Sequence, residues 1–229
     1  MGYRLVDGAA IYGNEVGMGQ GIAASGIPRD QIFVTTKVWN DRQGYDSTLQ
    51  AVSESLKRLA LDRLDLCLIH WPCAARDQYV YTWRALIKLQ GDGTITTIGT
   101  SNFNATELDR LTHETGVTPV LNQIELHPQL QQPTLRAAHA ARGIITQSWT
   151  PLGGGKSFTT PEIQSIAKTP KPHPRPSDLT LAPRPQVVGD PKVQPQGRAG
   201  REFGSAGFCA CGRGYEGHRG TGPKGEDWA

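Results

Sequence analysis

Reactive or polar residues close six short segments of this chain, and each segment is rich in residues that favour β-strands. The residues are Asp7, Lys37, His70, the pair Ser101 and Asn102, Gln123, and Trp149. They include groups that exchange protons, groups that donate and accept hydrogen bonds, and an indole that can stack on a planar ring. Such residues suit acid–base chemistry on a bound small molecule if the fold brings them together.

The segments that end in these residues predict a parallel sheet. Runs such as residues 32–36 and Leu64–Ile69 favour strands, and stretches with helical spacing separate the runs at intervals of about thirty residues. Helix ends are marked as well: Asp46 precedes one helical stretch, Asn104 opens a capping-box pattern, and Gly143 follows a third helical stretch. Alternating strands and helices indicate an α/β fold, and a (β/α) barrel builds its active site at the carboxyl ends of its strands.

Length and charge exclude several classes of protein. The 229 residues allow one substantial core but fall short of the roughly 250 residues of a complete (β/α)8 barrel. The net charge of +3 comes from residues 170–229, so residues 1–169 are neutral and no nucleic-acid interface is expected. We expect a cytoplasmic protein with no membrane attachment, because no secretion signal or long apolar stretch is present and the four cysteines lack a disulfide pattern.

Two regions of different composition follow one another. Residues 1–169 carry the strand and helix signals, whereas residues 170–229 contain nine prolines and eleven glycines and few large apolar residues. We expect the second region to be a disordered tail, and the abrupt loss of periodicity favours an out-of-frame origin. Zinc binding by Cys209, Cys211 and His218 is disfavoured because the cysteine spacing is one residue short of a zinc knuckle.

The motifs of residues 2–168, taken in order, closely resemble the aldo-keto reductases, especially the bacterial branch that includes 2,5-diketo-D-gluconate reductases. The matching stretches are residues 7–15, 34–39, 65–72, 98–103, 122–128 and 148–153. They correspond to strands two to seven of the family's barrel. The resemblance therefore implies an incomplete (β/α)8 TIM barrel of about six strand–helix units, with the N-terminus and the last strand missing.

The resemblance also implies NADP(H)-dependent reduction of aldehydes or ketones, with Tyr12 as the proton donor. A free tyrosine has a pKa near 10, so a nearby cation is needed to favour its ionised form, and Lys37 would supply that cation. Asp7 would hold Lys37 in place, and His70 would donate a hydrogen bond to the carbonyl oxygen. Taken alone, each residue has an ordinary structural explanation, as a cap, a half-buried aromatic, a solvated charge or a satisfied histidine.

The cofactor residues are implied by the same resemblance. Ser101, Asn102 and Gln123 would bind the nicotinamide carboxamide, and Trp149 would stack on the ring. Residues 152 and 153 (Leu152 and Gly153) would let the backbone approach the pyrophosphate, although a glycine run can equally be a flexible loop. Trp39 and Trp71 could line a substrate pocket, whereas Trp83 lies in a helical pattern and is predicted to be a core residue.

The chain departs from the family's pattern in places. Gly8 stands where a small hydroxyl residue is usual, and Gln129 stands where an aromatic residue is common. The family's last strand would bring the residues that grip the 2'-phosphate of NADP. The alternative to a reductase is therefore an inactive fragment or an interaction module on the same scaffold. If it folds, we expect a monomer acting on a small carbonyl compound.

Overall fold

The computed structural model describes residues 3–161 and 164–165, and within them six β-strands alternate with five α-helices. The strands are β1 (Leu5–Asp7), β2 (Phe33–Val38), β3 (Leu64–Ile69), β4 (Ile95–Ser101), β5 (Leu121–Glu125) and β6 (Ile145–Trp149). The helices are α1 (Glu15–Ala24), α2 (Tyr45–Leu59), α3 (Tyr79–Gly91), α4 (Ala105–Thr115) and α5 (Pro133–Ala141). The predicted tail, with Cys209, Cys211 and His218, lies outside the described residues.

All neighbouring strands pair in parallel, and their order in the sheet is their order in the chain. A helix connects each strand to the next, as parallel pairing requires. Six parallel strands with these helices form an incomplete (β/α)8 barrel, which confirms the predicted fold class. Within the described residues β1 and β6 are the two edges of the sheet.

The sheet is strongly curled at the carboxyl ends of its strands. Nε2 of Gln123 on β5 donates a hydrogen bond of 2.7 Å to Oδ2 of Asp7 on β1. In a flat sheet the two strands would lie about 19 Å apart, because four inter-strand steps of about 4.8 Å separate them. Curling therefore brings polar side chains from distant strands of the sheet onto one concave face.

The hydrophobic core lies between the sheet and the helices. Cys67 and Ile69 of β3 are completely buried there, together with Trp83 of α3 and Leu108 of α4. The Trp83 indole donates to the carbonyl of Val117 at 3.1 Å, so its polar atom is satisfied and the prediction of a core residue is confirmed. Burial raises the pKa of the Cys67 thiol to about 12, as expected for a cysteine that packs as a small apolar residue.

Helix ends follow local chemistry, with one correction. Asn104 and Glu107 form the predicted capping box at the start of α4, and Gly143 after α5 takes a left-handed conformation with φ of 68°. The prediction from Asp46 placed the start of α2 too late, because the helix begins at Tyr45 and Gly44 occupies the N-cap with φ of 110°. No helix of the described part is long and apolar enough to cross a membrane.

We expect Gly19→Ala to destabilise the fold by about 1–3 kcal/mol, because α1 packs directly on the end of α2 at this glycine. A Cβ atom at position 19 would lie 2.2 Å from the carbonyl oxygen of Leu59, which is backbone and cannot move aside freely. Urea unfolding measures the change. Gly21→Ala is the matched control, because nothing lies within 4 Å of that position and alanine favours helix. Equal stability of the two variants would contradict the tight contact.

Candidate active site

Lys37 and Asp7 form an ion pair at the carboxyl ends of adjacent strands. The Lys37 ammonium, buried on β2, donates to Oδ1 of Asp7 and, at 2.9 Å, to the carbonyl oxygen of Gly8. The parallel pairing of β1 with β2 fixes the two backbones beside each other. A buried cation is thus held in one position by a carboxylate and a peptide carbonyl.

Tyr12 lies over this cation. It ends a 3-10 helix (Ala10–Tyr12) that follows β1 and is closed by Gly13 in a left-handed conformation. The Lys37 nitrogen is 5.4 Å from the centroid of the Tyr12 ring. The ring also meets His70 edge to face, with 5.7 Å between centroids, and it is 49% exposed. The structure therefore brings together the four predicted acid–base residues, with the tyrosine on the open side.

His70 follows β3 and is buried in its neutral form. Burial, followed by the positive charge of Lys37, lowers the pKa of the imidazole to about 3. Its Nδ1 atom is buried and has no hydrogen-bond partner among the described residues, which leaves Nε2 as the nitrogen that can reach a ligand. Trp39 packs against the ring with centroids 4.9 Å apart, so this predicted pocket residue borders the acid–base group.

Ser101, Asn102 and Trp149 form a connected group beside His70. Asn102 has φ of 64°, and its Nδ2 donates to the carbonyl oxygen of His70 at 3.0 Å and to Oγ of Ser101 at 3.1 Å. Its Oδ1 accepts a hydrogen bond of 2.8 Å from the indole nitrogen of Trp149. Because the ends of β4 and β6 meet here, the predicted cofactor residues lie next to the acid–base residues.

Gln123 connects these two groups, and Gln147 is a partner that the sequence reasoning missed. The side-chain nitrogen of Gln123 donates to Asp7 and, at 2.9 Å, to Oε1 of Gln147 on β6. The register pairs Gln123 directly with Gln147. The signal was present in the alternation of β6, because Gln147 stands two residues before Trp149 and so shares its face of the sheet.

The loop after β6 has a backbone that only glycine accommodates well. Gly153, Gly154 and Gly155 all have positive φ, between 55° and 80°. Gly153 is buried, and a Cβ atom there would lie 3.3 Å from the ring of His127. Leu152 beside it is half exposed. Gly154 is exposed and Gly155 is partly exposed, so the loop leaves backbone accessible at these two positions.

Trp71 lies one residue beyond His70 and is partly buried. Its carbonyl oxygen accepts a hydrogen bond of 2.7 Å from the side chain of Gln43. That bond anchors the loop after β3 to the loop after β2. The structure places Trp71 near the site, and its role in substrate binding stays a prediction.

A buried polar network around Asn122 joins the end of β4 to β5 and α5, and the sequence patterns did not indicate it. Asn122 accepts hydrogen bonds from the backbone nitrogen of Phe103 at 3.3 Å and from the hydroxyl of Thr100 at 3.0 Å. Its Nδ2 donates to the Phe103 carbonyl at 2.8 Å and lies 2.9 Å from Nε2 of His139. Nε2 must therefore be unprotonated, so Nδ1 of His139 carries the proton and donates to Thr146 at 2.8 Å.

This network predicts loss of stability in mild acid. Burial, followed by the positive charge of Arg142, lowers the pKa of His139 to about 4, below its ordinary value of 6.5. Between these values the unfolded chain binds a proton that the folded chain does not. The stabilisation that neutral His139 gives the folded state is therefore complete above pH 6.5 and is lost as the pH falls towards 4. The free energy of unfolding should fall by about 1.4 kcal/mol per pH unit for this group, and His70 adds to the slope.

Urea unfolding between pH 7 and pH 4 measures this slope. We expect His139→Gln to reduce the slope by about 1.4 kcal/mol per pH unit, the contribution of one proton, because glutamine does not titrate. His113→Gln, on the exposed surface of α4, is the matched control and should leave the slope unchanged. A slope that His139→Gln does not alter would show that the buried histidine is not the titrating group.

Comparison with known proteins identifies the protein family of this chain. The chain matches the aldo/keto reductase family over residues 1–188. It belongs to that family. This match extends past residue 168, the last residue of the resemblance predicted from the sequence motifs.

Relatives from this family are similar over most of the described chain. An aldo-keto reductase of Mycolicibacterium smegmatis is 50% identical over 167 residues, which are 73% of this chain and 61% of the relative. Glyoxal reductase of Bacillus subtilis is 48% identical over 167 residues, covering 73% and 60%. Methylglyoxal reductase of Yersinia pestis is 48% identical over 176 residues, covering 74% and 63%. The chain thus spans about three fifths of the length of these relatives.

Solved structures agree with the family. The crystal structure of an aldo/keto reductase from Brucella melitensis is 54% identical with a TM-score of 0.70, covering 72% of this chain and 64% of that one. An aldo-keto reductase from Bombyx mori, crystallised in complex with NADP, is 40% identical with a TM-score of 0.64, covering 77% and 59%. For this chain, the expected monomeric state and cytoplasmic location stay predictions.

Proposed function

We propose that this protein reduces the carbonyl group of small aldehydes or ketones to an alcohol with NADP(H), and that Tyr12 donates the proton. The observation that supports this most strongly is the cluster around Tyr12. A buried ammonium lies 5.4 Å from its ring, and a neutral imidazole meets its edge. Protonation of a developing alkoxide requires a phenol, a cation and a neutral hydrogen-bond donor, and all three lie together at the carboxyl ends of β1, β2 and β3.

Lys37 makes the phenol of Tyr12 a better acid. Two of the three N–H groups of its ammonium are committed to Asp7 and Gly8 within the described residues, so the charge cannot move away. A fixed positive charge near the phenol stabilises the phenolate and lowers the barrier to proton release. Asp7 holds the lysine ammonium in place, and it does not need to touch the substrate.

His70 polarises the substrate carbonyl in this proposal. The low pKa of about 3 keeps the ring neutral at physiological pH, so it adds no charge beside Lys37. A neutral imidazole can donate one hydrogen bond to the carbonyl oxygen and leave the proton transfer to Tyr12. Tyr12 and His70 then act on the same oxygen from two sides, which their edge-to-face contact allows.

The residues beside His70 fit the carboxamide of a nicotinamide. The hydrogen bonds of the Gln123 side chain within the described residues are both donated by Nε2, so its oxygen remains to accept one. Ser101 and Asn102 donate their side-chain hydrogens within the protein and offer acceptor oxygens, and Trp149 offers an indole for stacking. Gly154, which is exposed and has positive φ, leaves backbone accessible to a phosphate. A reduced nicotinamide bound there would supply the hydride.

The proposed substrates are small α-oxoaldehydes. Two relatives bear the names glyoxal reductase and methylglyoxal reductase and are 48% identical to this chain. Trp39 packs on His70, so one wall of the pocket is aromatic and close to the reacting oxygen. Trp71 is proposed as a second wall. These walls leave room for compact substrates and exclude water from one side of the carbonyl.

The test is NADPH oxidation by the purified full chain with methylglyoxal, followed by identification of the alcohol product. We expect oxidation that depends on both the protein and the carbonyl compound. NADPH affinity is measured separately by quenching of tryptophan fluorescence. Binding without oxidation would overturn the proposed reaction, and neither binding nor oxidation would favour the interaction-module alternative.

A further inference from the structure

The side-chain amide of Gln123 can take only one orientation in this site. The Asp7 carboxylate pairs with Lys37 and, when ionised, can only accept hydrogen bonds. The Gln123 atom 2.7 Å from Oδ2 of Asp7 must therefore be the nitrogen. This assignment follows from chemistry and does not depend on telling nitrogen from oxygen by position alone.

Gln147 takes up the second hydrogen of the same nitrogen. Its Oε1 lies 2.9 Å from Nε2 of Gln123, on the neighbouring strand of the sheet. With one hydrogen directed to Asp7 and the other to Gln147, the plane of the Gln123 amide is fixed at two points. Its Oε1 then points away from both partners. The bond to Asp7 decides which end of the amide faces the carboxylate, and the bond to Gln147 limits rocking of the amide plane about the last side-chain bond.

We infer that Gln147 is a positioning residue that fixes the Gln123 amide so that its oxygen accepts a hydrogen bond from the NH2 group of the nicotinamide carboxamide. The inference rests on the proposed function, because it requires that a nicotinamide binds at this group. Gln147 itself does not touch the cofactor in this account. Its effect on binding passes through Gln123, and it shares its face of β6 with Trp149.

The consequence is a specific selectivity among nucleotides. With Gln147 present, NADP should bind about tenfold more tightly than its 3-acetylpyridine analogue, in which a methyl group replaces the carboxamide NH2. Without an acceptor at position 147, the Gln123 amide loses one of its two anchors and its oxygen is no longer held towards the ligand. The preference for NADP should then shrink to about twofold or less.

The experiment measures the dissociation constants of NADP and of the 3-acetylpyridine analogue by fluorescence titration of the full chain. Gln147→Leu removes the acceptor at nearly constant size, and Gln147→Glu keeps an acceptor oxygen in place. Gln20→Leu, exposed on α1, is the matched control. We expect wild type, Gln147→Glu and Gln20→Leu to prefer NADP, and Gln147→Leu to bind the two nucleotides almost equally.

Each outcome has a distinct meaning. If Gln147→Leu binds both nucleotides more weakly by the same factor and keeps the preference for NADP, Gln147 has a purely structural role and the inference is overturned. Wild type that binds neither nucleotide would instead overturn the proposed function. If Gln147→Leu does not fold, Gln147→Asn replaces it, because its shorter side chain cannot reach Gln123. Retention of the preference in that variant would equally overturn the inference.

Discussion

Tyr12→Phe is expected to lower kcat/KM for methylglyoxal by about 10²- to 10⁴-fold, the usual contribution of a positioned acid. The variant removes only the hydroxyl group, so the ring keeps its contacts with Lys37 and His70. Nucleotide affinity should be unchanged, because the residues proposed to bind the nicotinamide carboxamide do not include Tyr12. Steady-state kinetics together with NADPH titration measure both quantities.

Tyr81→Phe is the matched control for this change. Tyr81 on α3 is 48% exposed, almost the same as Tyr12, and its ring lies beside Arg84. It should retain full activity. If Tyr12→Phe also kept its activity, the proton would have to come from another group, and the proposed role of Tyr12 would be wrong.

Lys37→Met should lower kcat by roughly 10²-fold and move the pH dependence of the reaction. The proposed role of the ammonium is to stabilise the Tyr12 phenolate, so its loss should make the group that releases the proton a weaker acid. Asp7 keeps its hydrogen bond from Gln123 in the variant, which limits the cost of leaving the carboxylate without its cation. A pH–rate profile measures the expected change.

Lys57→Met, at an exposed position of α2, serves as the control for loss of one positive charge. Its kcat and pH profile should match those of wild type. Thermal unfolding of both variants separates a catalytic effect from a loss of folded protein. An unchanged pH profile for Lys37→Met, with lower activity explained by unfolding alone, would contradict the role of the lysine as an electrostatic partner of Tyr12.

Most strand ends were predictable from sequence because polar residues interrupt apolar runs at regular intervals, but Gln123, predicted to close a segment, lies in the middle of β5 (Leu121–Glu125). Asp7 ends β1, Lys37 stands one residue before the end of β2, and His70 directly follows β3, so parallel pairing brings them to the same end of the sheet whatever the details of the loops. The capping box at Asn104 was predictable for a similar reason, since both of its hydrogen bonds are local. Short-range rules carry most of this information.

Contacts between distant strands were not predictable in the same way. Gln147 and His139 are polar residues within an apolar sheet and helix, and their partners Gln123 and Asn122 lie 24 and 17 residues away in sequence. Only the curl and register of the sheet decide that these side chains meet. The start of α2 was missed because Gly44 caps the helix with a backbone conformation that side-chain patterns do not reveal.

The hydrogen bond between Asp7 and Gln123 has a consequence for folding kinetics. It joins residues 116 positions apart, the largest sequence separation among the side-chain bonds described above. Such a contact forms only after the intervening chain has closed, so it adds to the contact order and comes late. Early intermediates built from adjacent strand–helix units would hold the Asp7–Lys37 pair without its amide anchor. Recovery of nucleotide binding after dilution from urea would therefore report the last stage of assembly, later than recovery of helix.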